Sequence, residues 1–235
     1  MQATHGQVAP TVAVLMLVQM RRGAACWGWS RVVLGERLLR QVDGLRFARA
    51  LGCGRGGGFG LQPSLDRQGL FALFDNDSDA DAFIDASPVT AAYRAHAREF
   101  LVARLRATSS RGSWGGMGMA ASATADPTAP MAALTRGSIR ARRALAFWRH
   151  SPASEVGLAA AAGCRLAVGL GEAPVLRQAT FSLWDDSAAM EGYARSGAHL
   201  DAARAAQAEG HFRESMFVRF APQRLEGQWQ GQRYG

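Results

Sequence analysis

The most constraining feature of this sequence is an internal repeat: its second half can be laid over its first half at a constant spacing. One apolar run ends at Leu73–Asn76 (LFDN), and another ends 110 residues later at Leu183–Asp186 (LWDD). Further pairs at the same spacing are Arg67-Gln68 with Arg177-Gln178, Asp81–Phe83 with Glu191–Tyr193, and Arg94 with Arg204. The chain is therefore expected to fold as two similar halves.

Each half shows the same order of predicted elements: strand, helix, two strands, helix, strand. The third strand of each half alternates β-forming residues between its two faces, and the aspartates that follow Phe74 and Trp184 are placed to cap a helix. The predicted elements, first half then second, are an opening strand (Val12–Val18, Ala132–Ile139), a helix (Ser30–Val42, Ala144–Ala161), a third strand (Gly69–Phe74, Ala179–Trp184) and a last strand (Phe100–Arg104, Met216–Phe220).

This order is that of the ferredoxin-like βαββαβ unit, whose single sheet has one face bare of helices. We therefore expect an α+β fold of two tandem ferredoxin-like units packed sheet to sheet, in a dimeric α+β barrel-like arrangement. The predicted organisation is a first unit (1–114), a linker rich in small residues (115–130), a second unit (131–222) and a flexible tail (223–235). The glycine-rich insertion Leu51–Gly60 has no Walker lysine, so we interpret it as a flexible lid.

The charge of the chain is unusual because all 27 of its basic residues are arginine, against 19 acidic residues, for a net charge of +8. Such a charge attracts anionic lipid surfaces and acidic partners such as a small redox protein. The arginines are scattered and no reader motif accompanies them, so no specific nucleic-acid binding is expected.

The cysteines favour a reducing compartment, and the apolar segments predict no transmembrane helix. Cys26, Cys53 and Cys164 are far apart and have no metal-ligand spacing, which predicts neither disulfides nor a zinc site. The apolar run Val12–Val18 is far shorter than the ~20 residues of a transmembrane helix. A cytoplasmic protein is expected, one that its basic surface would also allow to sit peripherally at the inner membrane.

Among the five histidines, His199 has the most suggestive surroundings. Ala202, Ala203 and Ala206 follow it at helical spacing and share its face, which leaves room for a flat ligand. A neutral imidazole is the usual proximal ligand of haem iron, so His199 is a candidate metal ligand. The alternative is a packed or capping histidine.

Two segments combine arginine with nearby aromatic residues. Arg111 and Trp114 lie in SRGSW, and Arg136 and Arg140 lie in LTRGSIR. Such arginines could pair with haem propionates, and Trp114 and Trp148 could line an apolar pocket, unless the arginines are solvated and the aromatics belong to the core.

Seven segments carry a resemblance that covers most of the chain between Val12 and Phe220. They are GCGRGGGFGLQP (52–63), ASPVTAAYRA (86–95), SSRGSWGG (109–116), AALTRGSIR (132–140), AFWRHSP (146–152), LAVGLGEAPVLRQATFSLWDD (166–186) and YARSGAH (193–199). In these segments the sequence resembles the spheroidene monooxygenases, the carotenoid ketolases of purple bacteria.

The resemblance implies a haem-dependent monooxygenase that uses O2 and electrons from a ferredoxin-type donor. Its substrate would be a hydrophobic acyclic polyene such as spheroidene, which two hydroxylations at one carbon and loss of water convert to spheroidenone. His199 would be the axial ligand, Arg94 and Arg111 would act in catalysis, and Arg136 and Arg140 would hold the cofactor with Trp114 and Trp148.

Two other classes of function stay open at this point. A haem carrier, or another hydrophobic small-molecule binding protein, can use the same fold without turnover, because a fold does not fix a function. An arginine-rich nucleic-acid binder is the third class, and would show a steep salt dependence of binding.

Overall fold

The computed structural model describes residues 11–55, 62–145, 157–158, 160–173, 176–195 and 210–235, together with the isolated residues 148, 197, 200 and 204. The strands are β1 (Val12–Met20), β2 (Leu45–Gly54), β3 (Pro63–Phe74), β4 (Ala97–Gly112), β5 (Met131–Ile139), β6 (Cys164–Ala173), β7 (Arg177–Trp184), β8 (Phe212–Trp229) and β9 (Gln232–Tyr234). The helices are α1 (Ala25–Leu38), α2 (Asp77–Asp85), α3 (Pro88–His96) and α4 (Ser187–Ala194), with a 3₁₀ turn at Ala141–Arg143.

Eight of the strands close into one antiparallel barrel. Their order is β4-β1-β3-β2-β6-β7-β5-β8, β8 pairs back onto β4, and β9 extends β8 as a short hairpin. The α+β class and the barrel-like core are thus confirmed. The two halves follow the same strand order, and they meet edge to edge at the β4–β8 and β2–β6 pairs.

Strand alternation fills the inside of the barrel with apolar side chains, because every second residue points inward. Large members of this core are Leu15, Phe71, Phe181 and Phe220, each at most 1% exposed. Trp229 packs into the same cluster. Transfer of this apolar surface from water is the main force that holds the two halves together.

The helices lie on the outer faces of the barrel. In the first half α1, α2 and α3 cover an extensive second core that includes Met16 and Phe83. In the second half the described outer cluster is small and centres on Trp184 and Met190. Asn76 accepts a hydrogen bond from the Asp79 N–H and so caps α2.

The sequence locates most strands but makes several of them too short. The last strand of each half runs through 97–112 and 212–229, because these two strands pair with each other beyond the ends of their own sheets. The first helix begins at Ala25 and ends at Leu38, several residues earlier than predicted.

The prediction of a flexible tail over 223–235 is wrong. β8 continues to Trp229, and β9 returns along it to place Tyr234 in the core. Trp229 is 1% exposed. A polar, glycine-containing segment is ordered here because Gly227, at a φ of +116°, permits β8 to pass close to β4.

The remaining predicted segments have different outcomes. Residues 115–130 connect β4 to β5 and are anchored on the way, because Met119 is buried and Ser122 donates its N–H to the Ala107 carbonyl. Residues 56–60 of the predicted lid lie outside the described residues. No helix within the described part of the chain is long and apolar enough to cross a bilayer.

Candidate functional site

Among the described residues, the two halves differ clearly on the outer face of the sheet. In the first half, Leu70, Met16 and Val102 stand side by side across β3, β1 and β4, and each is at most 1% exposed beneath the helices. The corresponding row of the second half is Thr180, Thr135 and Phe217 across β7, β5 and β8.

This second row is accessible. Thr135 is exposed, Thr180 is half-buried and Phe217 is 36% exposed. Its neighbours in register are Gly169 on β6 and Arg111 on β4. We call these five residues, Gly169, Thr180, Thr135, Phe217 and Arg111, the outer row.

The outer row is a flat strip of the sheet surface with the Arg111 guanidinium at one end. The row crosses five adjacent strands, a width of about 19 Å, and three of its residues, Thr135, Thr180 and Gly169, have small side chains. The Arg111 guanidinium carbon lies 5.2 Å from the centre of the Phe217 ring, which is a cation–π distance. Beside the row, the Phe212 ring packs directly on Gly137. The arrangement suits a planar or extended apolar ligand that carries a negative group.

A second polar site lies inside the barrel, where alternation turns charged residues inward at the ends of strands. Arg136 on β5 is 3% exposed, and its Nη1 donates to Glu214 Oε2 at 2.6 Å while its Nη2 donates to Glu172 Oε1 at 3.1 Å. Arg49 Nε lies 3.4 Å from Glu172 Oε2. We call Arg49, Trp114, Arg136, Glu172 and Glu214 the inner cluster.

Trp114 closes the inner cluster. Its Nε1 donates to Glu172 Oε1 at 2.6 Å, and its ring stacks on Phe71 with centres 5.3 Å apart. The Arg136 guanidinium carbon lies 5.5 Å from the Trp114 ring centre. The apolar body of Trp114 thus joins the core while its N–H satisfies a carboxylate.

The carboxyl of Glu214 is strongly acidic in this setting. Burial alone would raise its pKa, but hydrogen bonds from the backbone N–H groups of Gly116 and Gly115, from Ser113 Oγ and from Arg136 outweigh burial. They lower the pKa of Glu214 from 4.5 to about 2. Glu214 is therefore ionised at neutral pH and neutralises Arg136.

The structure brings some of the sequence-predicted site residues together and separates others. Trp114 and Arg136 are in contact, as a shared pocket requires, but both terminal nitrogens of Arg136 already donate to carboxylates. Arg140 is exposed at the end of β5, where its Nε donates to the Phe212 carbonyl at 3.2 Å. Arg140 is thus the more available of the two predicted cofactor-binding arginines.

Arg94 and Arg111, the predicted catalytic pair, are far apart. Arg94 lies exposed on α3, with its guanidinium carbon 4.4 Å from the centre of the Phe100 ring. Phe100 and Arg111 are separated by about 35 Å along β4. Arg111 therefore belongs to the outer row, and Arg94 does not.

The other two predicted residues are less defined. His199 lies outside the described residues, and Trp148 is a half-buried helical residue whose neighbours in the chain also lie outside them. Among the described residues, no group of three or more histidine, cysteine, aspartate or glutamate side chains could hold a metal ion.

Glu172 and Glu214 were not among the site residues predicted from the sequence. Both occupy inward positions of strands by simple alternation: Glu172 follows Leu166, Val168 and Leu170, and Glu214 precedes Met216. A carboxylate at such a position needs a buried cation, and this rule could have paired both residues with Arg136.

No protein-family model matches the chain. In solved structures, an aldoxime dehydratase aligns over 93% of this chain and 83% of its own with a TM-score of 0.58 and 11% identity, which shows a shared fold.

Two relatives match in sequence over nearly the whole chain. The spheroidene monooxygenase of Rubrivivax gelatinosus is 51% identical over 95% of this chain and 87% of its own length. That of Rhodobacter capsulatus is 36% identical over 87% of each chain. At these levels of identity and coverage, the chain belongs to the spheroidene monooxygenase family.

Proposed function

We propose that this protein is a haem-dependent monooxygenase that hydroxylates an acyclic carotenoid such as spheroidene and carries it on to the ketone. The 51% identity to a protein named spheroidene monooxygenase, over 95% of the chain, carries this proposal. The outer row supports it, because Phe217 is 36% exposed and its aromatic ring can contact an apolar polyene.

We also propose that the two halves are copies of one ferredoxin-like unit and that only the second copy has become the active one. Their equal strand order supports this duplication. The first copy keeps Leu70, Met16 and Val102 under its helices, whereas the second has small or accessible residues at these places. One ligand site per chain is therefore expected.

The residues of the second half fit a haem. The barrel interior is filled by aromatic and aliphatic side chains, so a flat macrocycle would bind on the outer row. Thr135, Thr180 and Gly169 would underlie it, Arg111 and Arg140 would pair with its carboxylates, and His199 would ligate its iron. When bound, the haem would supply the activation of O2.

The chain's own residues would bind and orient the ligand and place positive charge beside it. Phe217 offers an aromatic surface to a polyene or a macrocycle, and Arg111, held against that ring, places a fixed positive charge beside it. The inner cluster lies on the opposite face of β5, since Arg136 points inward between outward-pointing Thr135 and Gly137. The ion pairs of the inner cluster hold the β5 backbone, which also carries Thr135 of the outer row.

The proposed reaction balances with an external reductant. Each hydroxylation converts one C–H to C–OH and consumes O2, two electrons and two protons, with release of one water. A second hydroxylation at the same carbon gives a geminal diol, which loses water to form the ketone. A ferredoxin-type donor would supply the electrons, and the net charge of +8 favours an acidic partner of this kind.

The test is the absorption spectrum of the protein purified with haem supplied, for wild type and His199→Ala, with His96→Ala as the matched control in the first half. We expect a Soret band that shifts on reduction and addition of carbon monoxide. This band should be lost or displaced in His199→Ala and kept in His96→Ala. Reduced wild type should then convert spheroidene in the presence of O2.

Two outcomes would contradict the proposal. A protein that takes up no haem under any reconstitution is not a haem enzyme. A protein that binds haem but leaves spheroidene unchanged with a competent ferredoxin system is a carrier on the same fold.

A further inference from the structure

Helix α1 turns an apolar face to solvent. Val33 is 79% exposed, and Leu34 and Leu38 are each 42% exposed. These residues lie at helical spacing on one side of α1, away from the side that packs on the sheet. A surface helix with three accessible aliphatic residues in its last two turns is unusual for a protein that contacts only water.

Close packing prevents α1 from rotating to bury this face. Gly35, on the buried side, lies against Ala50 of β2 so closely that an added Cβ would be 2.7 Å from the Ala50 Cβ. Gly28 faces Gln68 of β3 in the same way, at 2.8 Å from its Nε2. The two glycines fix the orientation of the helix, so the exposed side chains stay outside.

The apolar face continues onto neighbouring residues. Trp29 lies one turn before Val33, and its Nε1 donates to the Leu65 carbonyl at 3.1 Å. Leu65 is itself 72% exposed. Trp29, Val33, Leu34, Leu38 and Leu65 form what we call the α1 surface.

The α1 surface is bordered by positive charge. Arg37 and Arg40 are exposed at its end, and among the described side chains neither has a carboxylate within 4.0 Å. Arg21 and Arg22 are exposed just before the helix. Glu36 is the only acidic residue between Arg21 and Val42. Apolar side chains beside arginines are the two signals that together hold a protein on an anionic membrane.

We propose that the α1 surface docks on an anionic lipid bilayer, with Val33, Leu34 and Leu38 in the headgroup and acyl boundary and Arg37 and Arg40 on the lipid phosphates. This inference rests on the proposed function, because a carotenoid is dissolved in the membrane from which the enzyme must take it. A second copy of the chain is the less suitable occupant, since it would bring two sets of arginines together.

The experiment is flotation of the full-length protein with vesicles of phosphatidylglycerol and phosphatidylcholine. Val33→Ser/Leu34→Gln/Leu38→Gln should weaken vesicle binding at least tenfold, and Arg37→Gln/Arg40→Gln about fivefold for each arginine removed. Leu145→Gln, at a leucine that is 72% exposed elsewhere, and Arg233→Gln are the matched controls and should bind like wild type. All these positions are exposed, so the variants should keep the wild-type melting temperature.

A probe on Cys26 gives an independent readout. Cys26 is exposed and lies two turns before Val33 on the same side of α1, while Cys53 is buried. In a Cys164→Ser background, a fluorophore on Cys26 should be quenched by brominated lipids only when phosphatidylglycerol is present.

Several results would overturn the inference. These are a wild type that does not float with anionic vesicles, a triple variant that floats equally well, and a triple variant with half the wild-type molecular mass in solution, which would reveal an interface between copies. Activity separates this inference from the proposed function: the triple variant should oxidise detergent-dispersed spheroidene at the wild-type rate and fail on spheroidene in vesicles. If wild type oxidises spheroidene in neither form, the proposed function fails, and flotation still decides the docking surface.

Discussion

Replacing Arg136 with methionine should destabilise the barrel by about 3 kcal/mol. Removal of one partner from a buried ion pair costs about 3–5 kcal/mol, because the remaining charge is left without compensation. Arg136 bridges Glu172 and Glu214, and its side chain is only 4% exposed. We expect the lower end of this range, because Glu172 and Glu214 both keep other hydrogen-bond donors.

Both carboxylates keep hydrogen-bond donors when Arg136 is replaced. Glu214 keeps Ser113 Oγ at 3.0 Å and the Gly116 N–H at 2.9 Å, and Glu172 keeps Trp114 Nε1 at 2.6 Å. The assay is urea unfolding at pH 7 followed by tryptophan fluorescence and circular dichroism. Arg195→Met is the matched control: its pair with Glu191 is on the surface of α4 and should cost no more than about 0.5 kcal/mol.

The pH dependence supplies a second measurement on the same variant. The pKa of Glu214 is about 2 in the folded protein and 4.5 in the unfolded chain. Its contribution to stability is therefore fully present above pH 4.5 and is lost as the pH falls toward 2. The shift sets a ceiling of about 3 kcal/mol, and we expect about 1–2 kcal/mol because the Glu214 side chain is 26% exposed.

Without Arg136 the pKa of Glu214 is depressed less, so the variant should lose less stability than wild type between pH 5 and pH 3. The reasoning is refuted if Arg136→Met costs no more than Arg195→Met at pH 7. It is also refuted if the two proteins lose stability in parallel on acidification.

Three further changes test other parts of the structure. Trp114→Phe keeps the stack on Phe71 but leaves Glu172 without its 2.6 Å donor, so urea unfolding should show a loss of about 1–2 kcal/mol. Gly227→Ala should lower stability by at least about 2 kcal/mol, because an added Cβ would collide with the Phe100 carbonyl at a φ of +116°; a loss below about 1 kcal/mol would contradict this β4–β8 geometry. Thr135→Met, which gives the outer row the residue that the first half has at this position, should leave the melting temperature unchanged and weaken haem uptake at least tenfold; unchanged uptake would remove the outer row from the proposed site.

The repeat predicts the architecture well because strand alternation can be read within each half, and the same pattern recurs in both halves. Phe74 and Trp184, 110 residues apart, do occupy equivalent places on β3 and β7. The opening strands are 119 residues apart by the same register, as Val12 and Met131 show. Loop lengths differ between the halves, so a spacing read from one pair of strands cannot fix the ends of the others.

The site is predicted only in part, because its charges depend on contacts between distant strands. Trp114 and Arg136 were selected by residue type and do meet. Glu214, 78 residues beyond Arg136, was not selected, since only the pairing of β8 with β5 in the folded second half brings the two residues together. Arg94 and Arg111 were paired by the resemblance alone, and the length of β4 separates them.

The two joints between the halves are unequal, and this gives the barrel a preferred place to open. β4 and β8 pair from Leu101 to Gly112, whereas within the described residues β2 and β6 pair only where Gly52 meets Gly171 and Cys53 meets Leu170. The β4–β8 pairing is thus the extensive joint of the barrel, and the β2–β6 pairing is the short one. Amide hydrogens of the short β2–β6 joint should exchange with solvent well before those of the long β4–β8 joint, and local opening of the barrel should start at β2–β6.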